Sequence, residues 1–417
     1  VYLKVQYDMN NSTKNQIITR FSDQDLYSFT VGLFYLTNFS ESIGEYSFVD
    51  RNKTIYHEGF AEEVMEQVRM MDGLSPTEEE VLFLKSRCGG YMPSWYFTFL
   101  RGLSFKSSEV SFWQDEEGHL HGVVEGPLWR TIYWEQPLLA IVSELAHKET
   151  KVDEKLEYQR SYNRAKKMID SGVVFSDMGT RRRFSKAHHD MVIDSMIQAQ
   201  CDSDKENGSQ GFIGTSNLWL CMKYAKKYPW LKCIGTMSHQ MISAIAAIYG
   251  PREANYEAIE RWNQLYRGHM GIYLFDCLGT EAFLENFSKQ YAKLLDGYRI
   301  DSGDNEEEFM KIYNKIKEYN LDPSTKSIIF SNGLQPEEAI AIHKMVAGRM
   351  RDSFGIGTSL TCNLNQVSPS NIVIKLTGIQ LTPRHSKVHC IKLSSSRGKE
   401  TGDPETIKAY KVILGIN

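Results

Sequence analysis

The chain has 417 residues, 41% of them apolar, and a formal charge of −4 at pH 7 spread along it without a basic block. That length holds two domains, or one barrel with a sizeable appendage, and the charge excludes the electrostatic footprint of a nucleic-acid binder. No apolar run approaches the roughly 20 residues that span a bilayer. The polar opening from Val1 to Arg20 lacks the apolar centre of a signal peptide, so a cytoplasmic protein without membrane contact is expected.

In chain order, the first part, to about Leu145, mixes helices and strands irregularly. Ser75-Pro76-Thr77-Glu78 reads as a capping box with proline at the first helical position, opening a helix through Val81, Leu82 and Leu84. Ser111 to Val124 reads as a hairpin turning at Glu116-Glu117-Gly118, with Phe112, Leu120 and Val123 among the candidates for its buried faces. Pro137 sits in the first turn of an apolar helix carrying Leu138, Leu139, Ile141, Val142 and Leu145, and a polar helix over 151–168 follows.

From Gly172 onward short apolar strands alternate with longer helical stretches, the pattern of parallel strands joined by crossover helices. Eight strands are predicted, near 173–175, 211–213, 232–234, 272–275, 297–299, 327–330, 353–356 and 372–375. Helices are expected over 184–199, 238–248, 281–294, 305–319 and 336–346, with a polar surface loop from Cys201 to Gln210. The tail after Leu376 is strand-like and turn-rich and is expected to pack back on the first part. The seven cysteines are scattered without a Cys-x-x-Cys pair and read as reduced thiols, and the histidines, His188-His189 included, have no zinc spacing.

Almost every strand of the second part is followed at once by small or polar residues suited to phosphate, sugar or carboxylate. These are Asp177 to Arg183, Gly214-Thr215-Ser216-Asn217, Gly235-Thr236-Met237-Ser238-His239, Asp276, Arg299 to Asp304, Ser331-Asn332-Gly333 and Gly355-Ile356-Gly357-Thr358. Any one such cluster could be an ordinary turn or helix cap. In a parallel barrel, however, all seven ends share the face on which active sites are built. Ser331-Asn332-Gly333 and Gly355-x-Gly357-Thr358 can wrap backbone N–H groups around a phosphate. Arg299 and Asp301, two apart on an emerging strand, point the same way, which suits a cation for carboxylate or phosphate beside an anion for sugar hydroxyls or a metal-bound water. A mutual ion pair worth about 0–1 kcal/mol is the alternative.

In order, these segments resemble nicotinate phosphoribosyltransferases from about Phe21 to the C-terminal tail. Phe21 to Tyr27 is similar to the family's Asp-x-Tyr opening, and Trp134-Glu135-Gln136-Pro137-Leu138-Leu139 to its proline-started helix. The more specific matches are Gly179-Thr180-Arg181-Arg182-Arg183-Phe184-Ser185, Gly214-Thr215-Ser216-Asn217, Gly235-Thr236-x-x-His239, Asp301-Ser302-Gly303-Asp304 and Phe354-Gly355-Ile356-Gly357-Thr358. The resemblance implies an α/β fold: an irregular barrel of parallel strands over 146–376 beside a smaller α/β domain, 1–145, completed by the tail 377–417. It also implies transfer of phosphoribose from 5-phosphoribosyl-1-pyrophosphate to nicotinate in NAD salvage, with Mg²⁺, with ATP as co-substrate, and in a homodimer with shared active sites.

Carried over by position, the resemblance makes His239, Asp276 and Asp301 the catalytic group, with His239 phosphorylated by ATP. Tyr27 would stack on the nicotinate ring from a neighbouring subunit, Arg299 would hold substrate and Arg181 a phosphate. Asp276 and Asp301 would serve the ribose and its metal-bound pyrophosphate; no ligand set for the metal itself is assigned. Gly333, Gly357 and Thr358 would take the 5-phosphate, and Met178, Thr215, Ser216 and Asn332 stand among the substrate-binding positions. Ser216, where the nicotinamide enzyme is expected to carry an acid, favours nicotinate: a carboxylate about 4 Å from that of the substrate would cost roughly 4 kcal/mol. Several positions depart from the family pattern: Met178 replaces an aromatic, Ser28 a lysine, Gln240 a glutamate, and Asn332 and Gln335 aspartates. The competing readings are a nicotinamide- or quinolinate-using enzyme of the same fold, and a non-catalytic nucleotide-binding homologue.

Overall fold

The computed structural model describes residues 16–364, 367–394 and 400–416; the first fifteen residues of the polar opening lie outside them. Among the described residues no helix is long and apolar enough to cross a membrane. Among the described residues twelve strands form two sheets. In chain order they are β1 (Ile43–Asp50), β2 (Val110–Gln114), β3 (Leu120–Pro127), β4 (Phe175–Asp177), β5 (Phe212–Thr215) and β6 (Lys232–Cys233). β7 (Ile272–Leu274), β8 (Gly297–Ile300), β9 (Ser327–Phe330), β10 (Arg351–Ile356), β11 (Ile372–Gln380) and β12 (Val388–His389) follow.

The seven strands β4 to β10 are parallel, in the order β6-β5-β4-β10-β9-β8-β7, a curled half-barrel. Short apolar strands buried on both faces explain it: Phe175, Phe212, Tyr298, Ile300, Ile328, Phe330, Phe354 and Ile356 are all within 1% of fully buried. Aromatic rings meet across neighbouring strands, Phe330 against Phe354 with centroids 5.5 Å apart and Phe175 against Phe212 at the same distance. The eighth predicted strand, 372–375, is no part of this sheet. It opens β11, which pairs antiparallel with β1, Asp50 opposite Ile372 and Ile43 opposite Gln380. The reason is in its alternation: Ile372, Ile374 and Leu376 are buried while Val373, Lys375 and Thr377 are not, the signature of a half-buried sheet and not of a barrel strand.

The antiparallel sheet runs β12-β11-β1-β3-β2, so strands from both chain ends build the smaller domain. Its hairpin turns at Gly118 (φ +85°), and Val124 is buried where Val123 was expected. The capping box sits two residues later than predicted. Thr77 accepts from Glu80 N and the Glu80 carboxylate accepts from Thr77 N at 2.6 Å, so the helix is Glu78–Cys88. The same carboxylate takes Ser22 N at 3.0 Å, tying the chain's opening turn to this helix. The helix Leu26–Asn38, buried on all sides from Leu26 to Tyr35, is the seam between the two halves. Tyr96 of the small domain donates to Phe29 O at 2.7 Å, and Tyr266 of the barrel half to Thr30 O at 2.7 Å.

Candidate active site

The polar strand ends converge as the parallel topology requires. Asp177, at the end of β4 and fully buried, accepts from Thr215 Oγ1 at 2.6 Å and Gly179 N at 2.9 Å, and lies 2.8 Å from His189 Nε2. It thereby locks the β4 and β5 loops together. Beside them a cavity of about 390 Å³, a volume usual for small-molecule sites, is lined by Met178, Arg181, Arg299, Asp301, Gly333, Gly357 and Thr358 among others. The glycines have local reasons. Gly333 adopts φ +62°, and a Cβ on Gly355 would collide with the Met178 side chain.

At the floor of the cleft, Arg299 Nη2 donates to Asp301 Oδ1 at 2.8 Å, and Ser331 Oγ donates to the same oxygen at 2.6 Å. Asp301 is only partly exposed; the desolvation raises its carboxyl, but Arg299, His239 and Lys392 outweigh that and hold it well below the usual carboxylate range. His239 opens the helix His239–Tyr249. Its Nε2 lies 2.9 Å from Asp276 Oδ1, 3.0 Å from Lys392 Nζ and 3.8 Å from Asp301 Oδ2. Asp276, fully buried, also accepts from Ser302 Oγ and lies 3.5 Å from Lys392; despite burial, Lys392 and His239 hold it ionised. Burial and Lys392 lower the His239 imidazole, against the pull of Asp276. Its one Nε2 can either donate to Asp276 or accept from Lys392.

A second cluster adjoins the first. Glu135, 1% exposed, receives Tyr27 Oη at 2.5 Å, Gln240 Nε2 at 2.7 Å and Arg181 Nη1 at 3.3 Å. Lys375, only partly exposed, stands among Glu135, Lys392, Arg181 and Asp301; desolvation and the neighbouring cations, against the pull of Glu135, bring it down to about 8. Ser216 is not free to face a ligand unassisted. Its hydroxyl donates to Asp25 Oδ1 at 2.7 Å, and burial raises the Asp25 carboxyl.

The comparisons agree with this geometry. The sequence profile of the "Nicotinate phosphoribosyltransferase (NAPRTase) family" matches residues 173–416, and that of its N-terminal domain residues 23–143. The chain belongs to the nicotinate phosphoribosyltransferase family. A nicotinate phosphoribosyltransferase of Desulforapulum autotrophicum is 36% identical over 92% of this chain and 96% of its own length. That of Methanosarcina mazei is 33% identical over 94% and 97%. The crystal structure of the Porphyromonas gingivalis nicotinate phosphoribosyltransferase superposes with a TM-score of 0.90 at 39% identity, covering 96% of this chain and 100% of that one. The Vibrio cholerae structure gives 0.85 at 26%, covering 97% and 95%.

Of the positions that the resemblance to nicotinate phosphoribosyltransferases singled out, Met178, Arg181, Arg299, Asp301, Gly333, Gly357 and Thr358 line the cavity. His239 and Asp276 back Asp301. Thr215, Ser216 and Asn332 hold loops instead, Asn332 Nδ2 donating to Gly303 O at 2.8 Å. Tyr27, at the start of the seam helix, donates to Glu135 Oε2 of its own chain at 2.5 Å. Ser28, which replaces a lysine of the family pattern, is fully buried and donates to Gln136 Oε1 at 2.6 Å. Gln240 is explained by Glu135: a glutamate there would set two buried carboxylates against each other. Sequence reasoning missed Glu135, Lys375 and Lys392. The two lysines lie in or beside the tail that read as packing, and a lysine alternating with apolar residues carries no signal of a site.

Proposed function

We propose that this chain transfers the phosphoribosyl group of 5-phosphoribosyl-1-pyrophosphate to nicotinate, giving nicotinate mononucleotide and pyrophosphate. The observation that carries the reading is the pairing, on one face, of two small-residue phosphate loops (Gly333; Gly357-Thr358) with a cluster of Arg181, Arg299, Lys375 and Lys392. The bond from the anomeric carbon to pyrophosphate breaks, positive charge develops at that carbon, and the pyridine nitrogen lone pair forms the new C–N bond. No protein nucleophile is required, and catalysis is positioning plus charge neutralisation. Lys375 and Lys392 face the departing pyrophosphate, Asp276 and Asp301 the ribose, and Arg181 and Arg299 the anionic ends of the reactants.

His239, Asp276 and Asp301 offer ligand atoms within 4.8 Å of one another. Mg²⁺ prefers oxygen donors, one or two carboxylates completed by substrate phosphates. These residues therefore suit a Mg²⁺ that arrives with pyrophosphate and is held by Asp276 and Asp301, not a resident ion on the imidazole. When bound, such an ion supplies neutralisation of the leaving group. ATP is proposed as co-substrate, phosphorylating His239, whose Nε2 lies 3.0 Å from Lys392 Nζ. A homodimer with shared active sites is part of the proposal; within one chain Lys392 reaches His239 and Tyr27 reaches Glu135. A cytoplasmic location is likewise a proposal, consistent with NAD salvage. The test is product formation with nicotinate, nicotinamide and quinolinate in turn, with and without ATP and Mg²⁺. Turnover with nicotinate alone is expected; turnover with either other pyridine in preference to it overturns the reading.

A further inference from the structure

Three consecutive arginines form the turn that follows β4, and they differ in their partners. Arg181 pairs with Glu135, and Arg183, 1% exposed, is held by Asp23 at 2.6 and 3.0 Å and by Glu144 at 2.8 Å. Arg182, between them, has no carboxylate within ion-pair distance among the described residues. It is only partly exposed, and its charged neighbours are chiefly other cations, Arg181 and Arg51, with Asp301 further off. Burial and those two cations bring it down to about 10, so it stays charged at neutral pH. A partly buried guanidinium packed beside like charges is an uncompensated electrostatic cost unless an anion joins it.

Its position says which anion. Arg182 lines the 390 Å³ cavity together with Gly333, Gly357 and Thr358. The pyrophosphate cations Lys375 and Lys392 belong to the Glu135–His239 side of the site. The cleft thus has one cation without a counterion at the glycine-loop end, where backbone N–H groups supply donors and no side-chain charge. We propose that Arg182 is the cation that binds the 5-phosphate of the sugar substrate, closing from the Thr180–Arg182 turn the subsite whose other walls are Gly333 and Gly357-Thr358. A guanidinium fork on a phosphate dianion gives charge-assisted, bidentate bonds that the loops alone cannot. This inference rests on the phosphosugar reading above.

Two fragments separate the ends of the substrate. Ribose 5-phosphate carries only the monophosphate and inorganic pyrophosphate only the other end, so calorimetric titration of each into wild type, Arg182→Gln and Arg182→Lys reads the two subsites independently. Arg182→Gln is expected to weaken ribose 5-phosphate about ten- to a hundredfold and to leave pyrophosphate within about twofold. Arg182→Lys, which keeps a point charge and loses the fork, falls between. Because no carboxylate depends on Arg182, truncation leaves no orphaned charge, and an unchanged thermal midpoint is expected. Equal weakening of both fragments, or unaltered ribose 5-phosphate binding, overturns the assignment. If wild type binds neither fragment while the variants stay folded, the phosphosugar reading fails and takes this inference with it.

Discussion

Replacing Ser216 by aspartate tests the electrostatics of the proposed nicotinate-binding end of the cleft, because the structure already sets the Asp25 carboxylate beside Ser216. Asp25 Oδ1 lies 2.7 Å from Ser216 Oγ, and both residues are at most 4% exposed. A second carboxylate about 4 Å from the first costs roughly 4 kcal/mol at an effective dielectric near 20, about a thousandfold. Asp25, raised by burial, is pushed further up by that neighbour. Ser216→Asn, of similar size and uncharged, is the control. Steady-state kinetics at pH 8 should show Ser216→Asp losing far more in KM for nicotinate than Ser216→Asn, with the KM for 5-phosphoribosyl-1-pyrophosphate little changed in either. The sign with pH follows. Raised carboxyls take up the proton as pH falls, the repulsion disappears, and the gap between the two variants narrows toward pH 5. Equal losses in the aspartate and asparagine variants, or a gap independent of pH, would refute the charge argument.

Arg183→Met strands Asp23 and Glu144 in the interior and should destabilise the fold by about 3–5 kcal/mol in urea unfolding at pH 7. In wild type Arg183 holds Asp23 low, stability that is present above the unfolded carboxyl range and lost as pH falls; the stranded acids of the variant are raised, so its deficit should shrink on acidification. Lys392→Met removes the cation 3.0 Å from His239 Nε2, and the imidazole should rise. The acid limb of ATP stimulation then moves to higher pH, and an unmoved limb in the pH–rate profile counts against the role of Lys392. His239→Ala should retain slow transfer without ATP and lose the ATP stimulation; stimulation that survives shows that the histidine is not the phosphoacceptor.

Local interactions made much of this protein legible in the chain itself. Apolar runs of three to five residues predict the seven barrel strands, and the polar residues directly after each mark the face of the site, since a parallel topology brings all strand ends together whatever the side chains do later. Arg299 with Asp301 and the glycine loops are contacts between neighbours in sequence or in adjacent strands. What tertiary structure alone decided lies at long range. Tyr27 meets Glu135 across 108 residues, and Lys392 meets His239 across 153. Those pairings depend on how the antiparallel sheet docks along the helix Leu26–Asn38. Docking is driven by non-directional apolar burial whose partners are not written in the chain, so neither lysine could be told from a solvated one until the two halves were in place.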